Sequence, residues 1–345
     1  MYLQSVLLPR ALKRLSDWPI APILTSKHNN GQSSRPLEIL LAIFGVGLLA
    51  SLVGGGGSGT LGGDEPEATD EGTPGPDSID GTFFDDVIFG RAGDDTINGS
   101  VGNDYLDGNA DDDQVFGDEG NDQLFGGAGS DTLGGGIGDD FLRGGAGDDT
   151  LRGGADDDLL EGALDNDFLQ GDGGNDTLKG GPGADFLTGN LGEDELEGGP
   201  GNDTLIGLSG NFTDAPSSDA DDPDRLEGWE GEDFIVMGAG DEAWGEFVTT
   251  RADGAADTFV SGIWADGDPP LVHDFDPGVD SLVLYYDPGL LTDPEVTVTT
   301  VDIAGDLTFQ VRLEGTILMN VQIGTSGVVD PTLVELRTPA IGPTT

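Results

Sequence analysis

Aspartate recurs at every ninth position through the middle of this 345-residue chain: Asp86, Asp95, Asp104, Asp113, Asp122, Asp131, Asp140, Asp149, Asp158, Asp167, Asp176, Asp185, Asp194 and Asp203. Each of these fourteen carboxylates stands five residues after a glycine and two before an Ile, Leu or Val, without an insertion from Gly81 to Ile206. The units GGAGDDTLR from Gly144 and GGPGADFLT from Gly180 show the pattern. Glycine at the first, second and fourth positions supplies the positive φ angles and close backbone approach of a sharp turn. Such a turn exposes carbonyl oxygens beside the carboxylate, an all-oxygen donor set of the kind Ca²⁺ takes with six to eight ligands. The expected chemistry is Ca²⁺ ligation by these fourteen aspartates, with Asp233 in a weaker later unit as a fifteenth candidate.

The elements that must position them are short. A triplet such as Thr150-Leu151-Arg152 can form only a brief strand with one side chain pointing inward, so no single unit buries a core and stability must come from stacking. If two units make one coil, residues eighteen apart stack directly. One column then runs through Asp86, Asp104 and onward to Asp194, the other through Asp95, Asp113 and onward to Asp203. Seven turns per column leave six gaps, so the two columns have room for up to about twelve ions, with the stack advancing about 4.8 Å per coil. The aliphatic eighth positions become two facing rows in a thin core. The first unit, with Phe83 and Phe84 in its turn, reads more as an amino-terminal cap than as a ligand loop.

The consensus resembles the GGxGxDxUx repeat of the RTX (hemolysin-type calcium-binding repeat) family over 126 contiguous residues, and the resemblance implies a calcium-binding parallel β-roll. The segment VHDFDPGVDSLVL, from Val272, is similar to the stretch that follows calcium rolls in secreted RTX proteins and implies a cap. Charge agrees. Residues 81–206 carry 31 Asp or Glu against four Lys or Arg, a net charge of −27. About twelve divalent ions would cancel most of it. Metal binding and folding are expected to be one event, because a glycine-rich chain with so thin a core cannot offset its ordering entropy.

The expected fold is all-β: a nonapeptide-repeat solenoid followed by a carboxyl-terminal antiparallel β domain and preceded by a hydrophobic helix. The boundaries are a basic segment at 1–38, a hydrophobic anchor or signal helix at 39–53 and a Gly-rich, acidic linker at 54–80. The roll follows at 81–206, then a loop insertion at 207–218, degenerate repeats at 219–245 and a β cap domain at 246–345. Five of the thirteen basic residues fall in the first 35 positions, ahead of ILLAIFGVGLLASLV. That arrangement predicts an extracellular or surface-displayed protein tethered through residues 39–53. RTX proteins usually leave through a carboxyl-terminal type I secretion signal, so this segment departs from the family pattern.

Several functions are excluded or disfavoured. The chain has no Cys, so disulfides and thiol chemistry are absent. Its two histidines, His28 and His273, belong to no H-E-x-x-H motif, and no G-x-S-x-G elbow occurs. A net charge of −54 repels nucleic acid. The expectation is a non-enzymatic calcium-binding protein with a structural or adhesive role and an unspecified cell-surface or matrix partner. The alternative is a secreted enzyme whose site lies in residues 246–345, with the roll as a stabilising or export module.

Overall fold

The computed structural model describes residues 69–208, 223–245, 255–262, 269–277, 279–285, 295–303, 306–322 and 334–337. The expected helix at 39–53 and most of the insertion at 207–218 lie outside them. Regular structure among the described residues is entirely β, with no helix long and apolar enough to cross a membrane. As far as Ser281–Tyr285, successive strands alternate between two sheets, of fourteen and twelve strands, and each pairs in parallel with the strand one coil away. Leu133, Leu151, Leu169 and Leu187 stand in one row, each aligned with the residue eighteen positions on. Two nine-residue units thus make one coil.

Strands are longer than the expected triplet. Thr150–Ala155, like most of the units, runs six residues from the seventh position of one repeat to the third of the next. Its pairing with Phe168–Gly173 skips Gly153, the first-position glycine. A residue without a side chain lets the strand carry through the corner that was expected to end it.

The core is one residue deep. Ile88, Leu106, Leu124, Leu142 and Leu160 line one sheet and Ile97, Val115, Leu133, Leu151 and Leu169 the other, all at 0–1% exposure. Both rows join a single apolar cluster that continues to the carboxyl-terminal strands.

The roll extends beyond both boundaries read from the sequence. Residues 72–80, GTPGPDSID, were assigned to the linker, yet they form a further unit. Gly72, Gly75, Asp77 and Ile79 hold the first, fourth, sixth and eighth positions, and Ser78–Asp80 pairs with the strand beginning at Thr96. Thr69–Glu71 adds a strand ahead of it. After Ile206 the register shifts from eighteen to thirty, aligning Glu195 with Arg225 and Thr204 with Phe234, so the twelve extra residues leave the stack intact.

Past residue 246 the ladder also continues. Thr258–Gly262, Leu271–Val272, Ser281–Tyr285 and Val334–Arg337 are all parallel additions to the two sheets. Antiparallel pairing is confined to Val296–Ile303, Asp306–Leu313 and Thr316–Gln322, which extend the first sheet through a parallel contact with Leu271–Val272. Among the described residues the expected antiparallel domain is therefore a three-stranded extension of the roll. The alternating runs that suggested it also suit a last coil with a wider apolar interior.

Two stability outcomes follow. Leu151→Ala removes a fully buried side chain from a core with no second layer to relax into it, and should cost about 2–5 kcal/mol in calcium-loaded urea unfolding. Ala163 holds a second-position φ of 93°, where a Cβ is strained, so Ala163→Gly should gain up to about 1 kcal/mol by the same measurement.

Candidate metal centre

The sixth-position aspartates are the buried polar rows of this molecule. Asp86 through Asp203 are all 4% exposed or less, and Asp224, Asp233, Asp241 and Asp257 continue them at 3% or less. A carboxylate so enclosed must be hydrogen-bonded, protonated or matched by a cation.

Half of that requirement is met within the stack. The backbone N–H of each sixth-position Asp donates to Oδ1 of the Asp eighteen residues later, at 2.7–2.9 Å from Asp77 onto Asp95 through Asp185 onto Asp203. The ladder continues across the insertion, from Asp194 onto Asp224 and from Asp203 onto Asp233, both at 2.9 Å. It then reaches Asp241, Asp257 and Asp280. Both columns expected from the eighteen-residue coil are present as continuous carboxylate–amide chains.

The other oxygen is left over. Oδ2 of Asp95, Asp104, Asp113, Asp122, Asp131, Asp140, Asp149, Asp158, Asp167, Asp176, Asp185 and Asp203 is buried and makes no hydrogen bond. Each faces the first-position glycine of its own turn. A methyl on Gly117 would lie 2.2 Å from Asp122 Oδ2 and 2.8 Å from the carbonyl oxygen of Gly135, one coil on. Two oxygens thus converge on a point that only glycine leaves open. At the second position the need is different: Gly136 has φ +122°, and a Cβ there would meet the carbonyl oxygen of Asp118 at 2.2 Å. The first glycine makes room for the carboxylate, and the second takes the left-handed turn.

Nowhere among the described residues do three His, Cys, Asp or Glu side chains converge as a metal cluster. Buried carboxylates come one per turn, so carbonyl oxygens must supply most of any coordination shell. An oxygen-only shell of carbonyls and single carboxylates, with enclosed oxygens lacking donors, fits Ca²⁺ and does not fit metals that favour nitrogen or sulfur.

Fifth-position side chains brace the same turns from outside. Asn103 accepts the Asn121 amide at 2.8 Å, Asp157 that of Asn175 at 2.8 Å and Asn166 that of Ala184 at 2.9 Å. This ladder runs opposite in sense to the sixth-position one, so each turn is tied to both neighbours. His273 stacks on Trp244 with centroids 4.2 Å apart, and its Nδ1 lies 3.1 Å from Gln322 Oε1.

Sequence reasoning left out Asp77, Asp241, Asp257 and Asp280 as column members and read Asp224 with Leu226 only as a degenerate coil. The signal was there: each is followed two residues later by Ile79, Leu226, Ala243, Phe259 or Leu282, all buried in the core. The Asp-x-apolar triplet survives where the glycines and the nine-residue spacing do not.

Stacked parallel coils with an oxygen-lined turn at every ninth residue define a calcium-binding β-roll. Residues 71–106, 99–133, 134–169, 161–196 and 170–205 each match the family model for the RTX calcium-binding nonapeptide repeat. Residues 71–205 thus belong to the RTX calcium-binding repeat family. No curated protein matches the chain.

Burial pushes the carboxyls upward from the ordinary 3.8, with neighbouring carboxylates adding to the rise and the amide bond opposing it: to about 7 at Asp104, Asp113, Asp140 and Asp149, and to about 8 at Asp158, Asp167 and Asp203. Asp122, Asp131, Asp176 and Asp185 rise to about 6. These folded values exceed the unfolded one, so the metal-free roll holds extra protons. Its stability from this source is complete below pH 4 and is lost as pH rises through about 6–8. Calcium must displace those protons. Adding Ca²⁺ at pH 6.5 in weak buffer should release protons, read with an indicator dye, and apparent affinity should be weaker at pH 6 than at pH 8.

Proposed function

We propose that the chain is an exported, surface-displayed protein whose repeats fold when they bind calcium, and whose role is structural or adhesive. Twelve buried carboxylate oxygens without hydrogen-bond donors carry this reading. Ordering them in a compact state without cations costs desolvation and mutual repulsion along each column, whereas an interleaved divalent ion supplies the missing partner. Calcium is scarce inside cells and abundant outside, so coupling folding to the ion delays assembly until export is complete. The acidic bulk and the basic, apolar amino-terminal segment support display outside a membrane, with residues 39–53 as tether.

The aspartates from Asp95 to Asp203, with Asp233, are the proposed ligands, one carboxylate per turn beside carbonyl oxygens, holding up to about twelve ions. No catalytic role is assigned to residues 246–345. Their described strands continue the two sheets, which supports a cap.

Far-ultraviolet circular dichroism of residues 64–345, titrated from excess chelator into Ca²⁺, tests the reading. A cooperative gain of β signal with Ca²⁺, not reproduced by Mg²⁺ or matched NaCl, is the expected outcome. A roll already complete in chelator at pH 8 would remove folding-on-binding, and folding by NaCl alone would remove the ligand assignments.

A further inference from the structure

The carboxylates at the ends of the two columns differ from those between them. At the amino-terminal end, Asp77 Oδ2 accepts the N–H of Thr73 at 2.5 Å and its hydroxyl at 2.9 Å. Asp86 Oδ2 accepts the N–H and hydroxyl of Thr82 at 2.6 and 3.0 Å. At the carboxyl-terminal end, Asp241 Oδ2 accepts the Gly238 amide at 2.6 Å and Asp280 Oδ2 the Asp276 amide at 2.8 Å. Among the described residues these four are the first and last members of their columns, and in all four the second oxygen is engaged by a donor from its own turn. Asp86 Oδ1 is buried and makes no hydrogen bond among the described residues.

The amino-terminal change has a visible cause at the second position. From Arg91 onward that residue takes a positive φ in the regular coils, 87° at Arg91 and 80° at Ser100, whereas Thr73 and Thr82 do not. A β-branched side chain is excluded from the left-handed region. With its backbone on the ordinary side, Thr turns its N–H and hydroxyl onto the carboxylate. A hydroxyl alone is insufficient, since Ser100 Oγ bonds Asn98 and leaves Asp104 Oδ2 without a partner. The carboxylate shifts accordingly: a methyl on Gly72 or Gly81 would lie 3.0 or 2.9 Å from Oδ2, against 2.4 Å on Gly90 and 2.3 Å on Gly99.

We infer that Thr73 and Thr82 close the amino-terminal ends of the calcium columns, so that the first two turns are sealed without metal and ligation by Oδ2 begins at Asp95 and Asp104. The residue type at the second position decides whether a turn is sealed or open to an ion. This rests on the calcium-column reading above.

Bound Ca²⁺ per full-length chain, measured by equilibrium dialysis and elemental analysis, tests it. Thr73→Gly combined with Thr82→Gly should add about one ion per opened turn. An unchanged count in a folded double variant would overturn the closure. Should that variant fail to fold, single substitutions decide: Asp77→Asn should leave the count as in the unsubstituted chain, while Asp95→Asn should lower it by about one. Equal losses from the two, with the columns otherwise loaded, would overturn the closure alone. An unsubstituted chain that binds no Ca²⁺ would overturn the column reading and the closure with it.

Discussion

Enclosing a line of carboxylates, one above another at the repeat of a parallel sheet, is the constraint on which the rest of this structure depends. From Asp95 on, Oδ1 is tied to the amide of the coil before it, so these carboxylates are also rungs of the stack. The remaining oxygen is shut away from water and meets no donor at twelve of these residues, from Asp95 to Asp185 and at Asp203. Glycine at the first position follows directly, because any side chain there would occupy the space the two oxygens face. The apolar eighth position follows as well: two residues beyond the carboxylate, it is the next side chain to point into the coil.

The division of labour between ions and core changes along the chain. In the regular coils each turn contributes a single aliphatic side chain, and eighteen residues must be ordered for two such contributions. Toward the carboxyl end the interior thickens. Phe259 and Phe275 pack edge to face with centroids 6.2 Å apart, and Phe309, Val311, Leu313, Met319 and Val321 are buried beside them. A second buried group, Ile206, Val236, Val260 and Val283, occupies ninth positions that in the regular coils face outward. The end of the roll therefore adds a thicker hydrophobic core to the carboxylate columns, which still run through it at Asp233, Asp257 and Asp280.

Much of this was legible in the sequence because a nine-residue period with an invariant carboxylate admits few arrangements. The coil length, both columns and both core rows follow from it, and the register from Asp86 to Asp203 agrees residue by residue. What was missed lies where the period loosens. Pro74 and Pro76 in the unit at Gly72 read as spacer composition, although Pro200 holds the same third position as Pro74 within a six-residue strand of the roll. The coils past residue 246 read as a separate domain because their intervals of 24 and 23 residues hide a stack that the Asp-x-apolar triplet still marks. Strand length was underestimated because a first-position glycine was taken for the end of a strand when it is a corner within one.

The outward positions obey a different rule. In the regular coils neither the carboxylate columns nor the core restricts the seventh and ninth residues, and there the repeats diverge. Phe89, Tyr105, Phe125 and Phe141 form a continuous run of ring contacts at 5.1–5.8 Å across four neighbouring coils, reached from seventh and ninth positions in turn. On the opposite sheet Phe168 and Phe186 stack with planes 4° apart. Farther along the first sheet Arg225 lies 5.1 Å over Trp244, which in turn covers His273. Such stacks add lateral contact between coils whose inward contacts are minimal. They also separate two tasks on one backbone. The inward face is held to a single chemistry by the ions it must fit, whereas the outward face is free to differ from coil to coil, so any selectivity for a partner has to be written at those seventh, ninth and third positions and not in the repeat that identifies the roll.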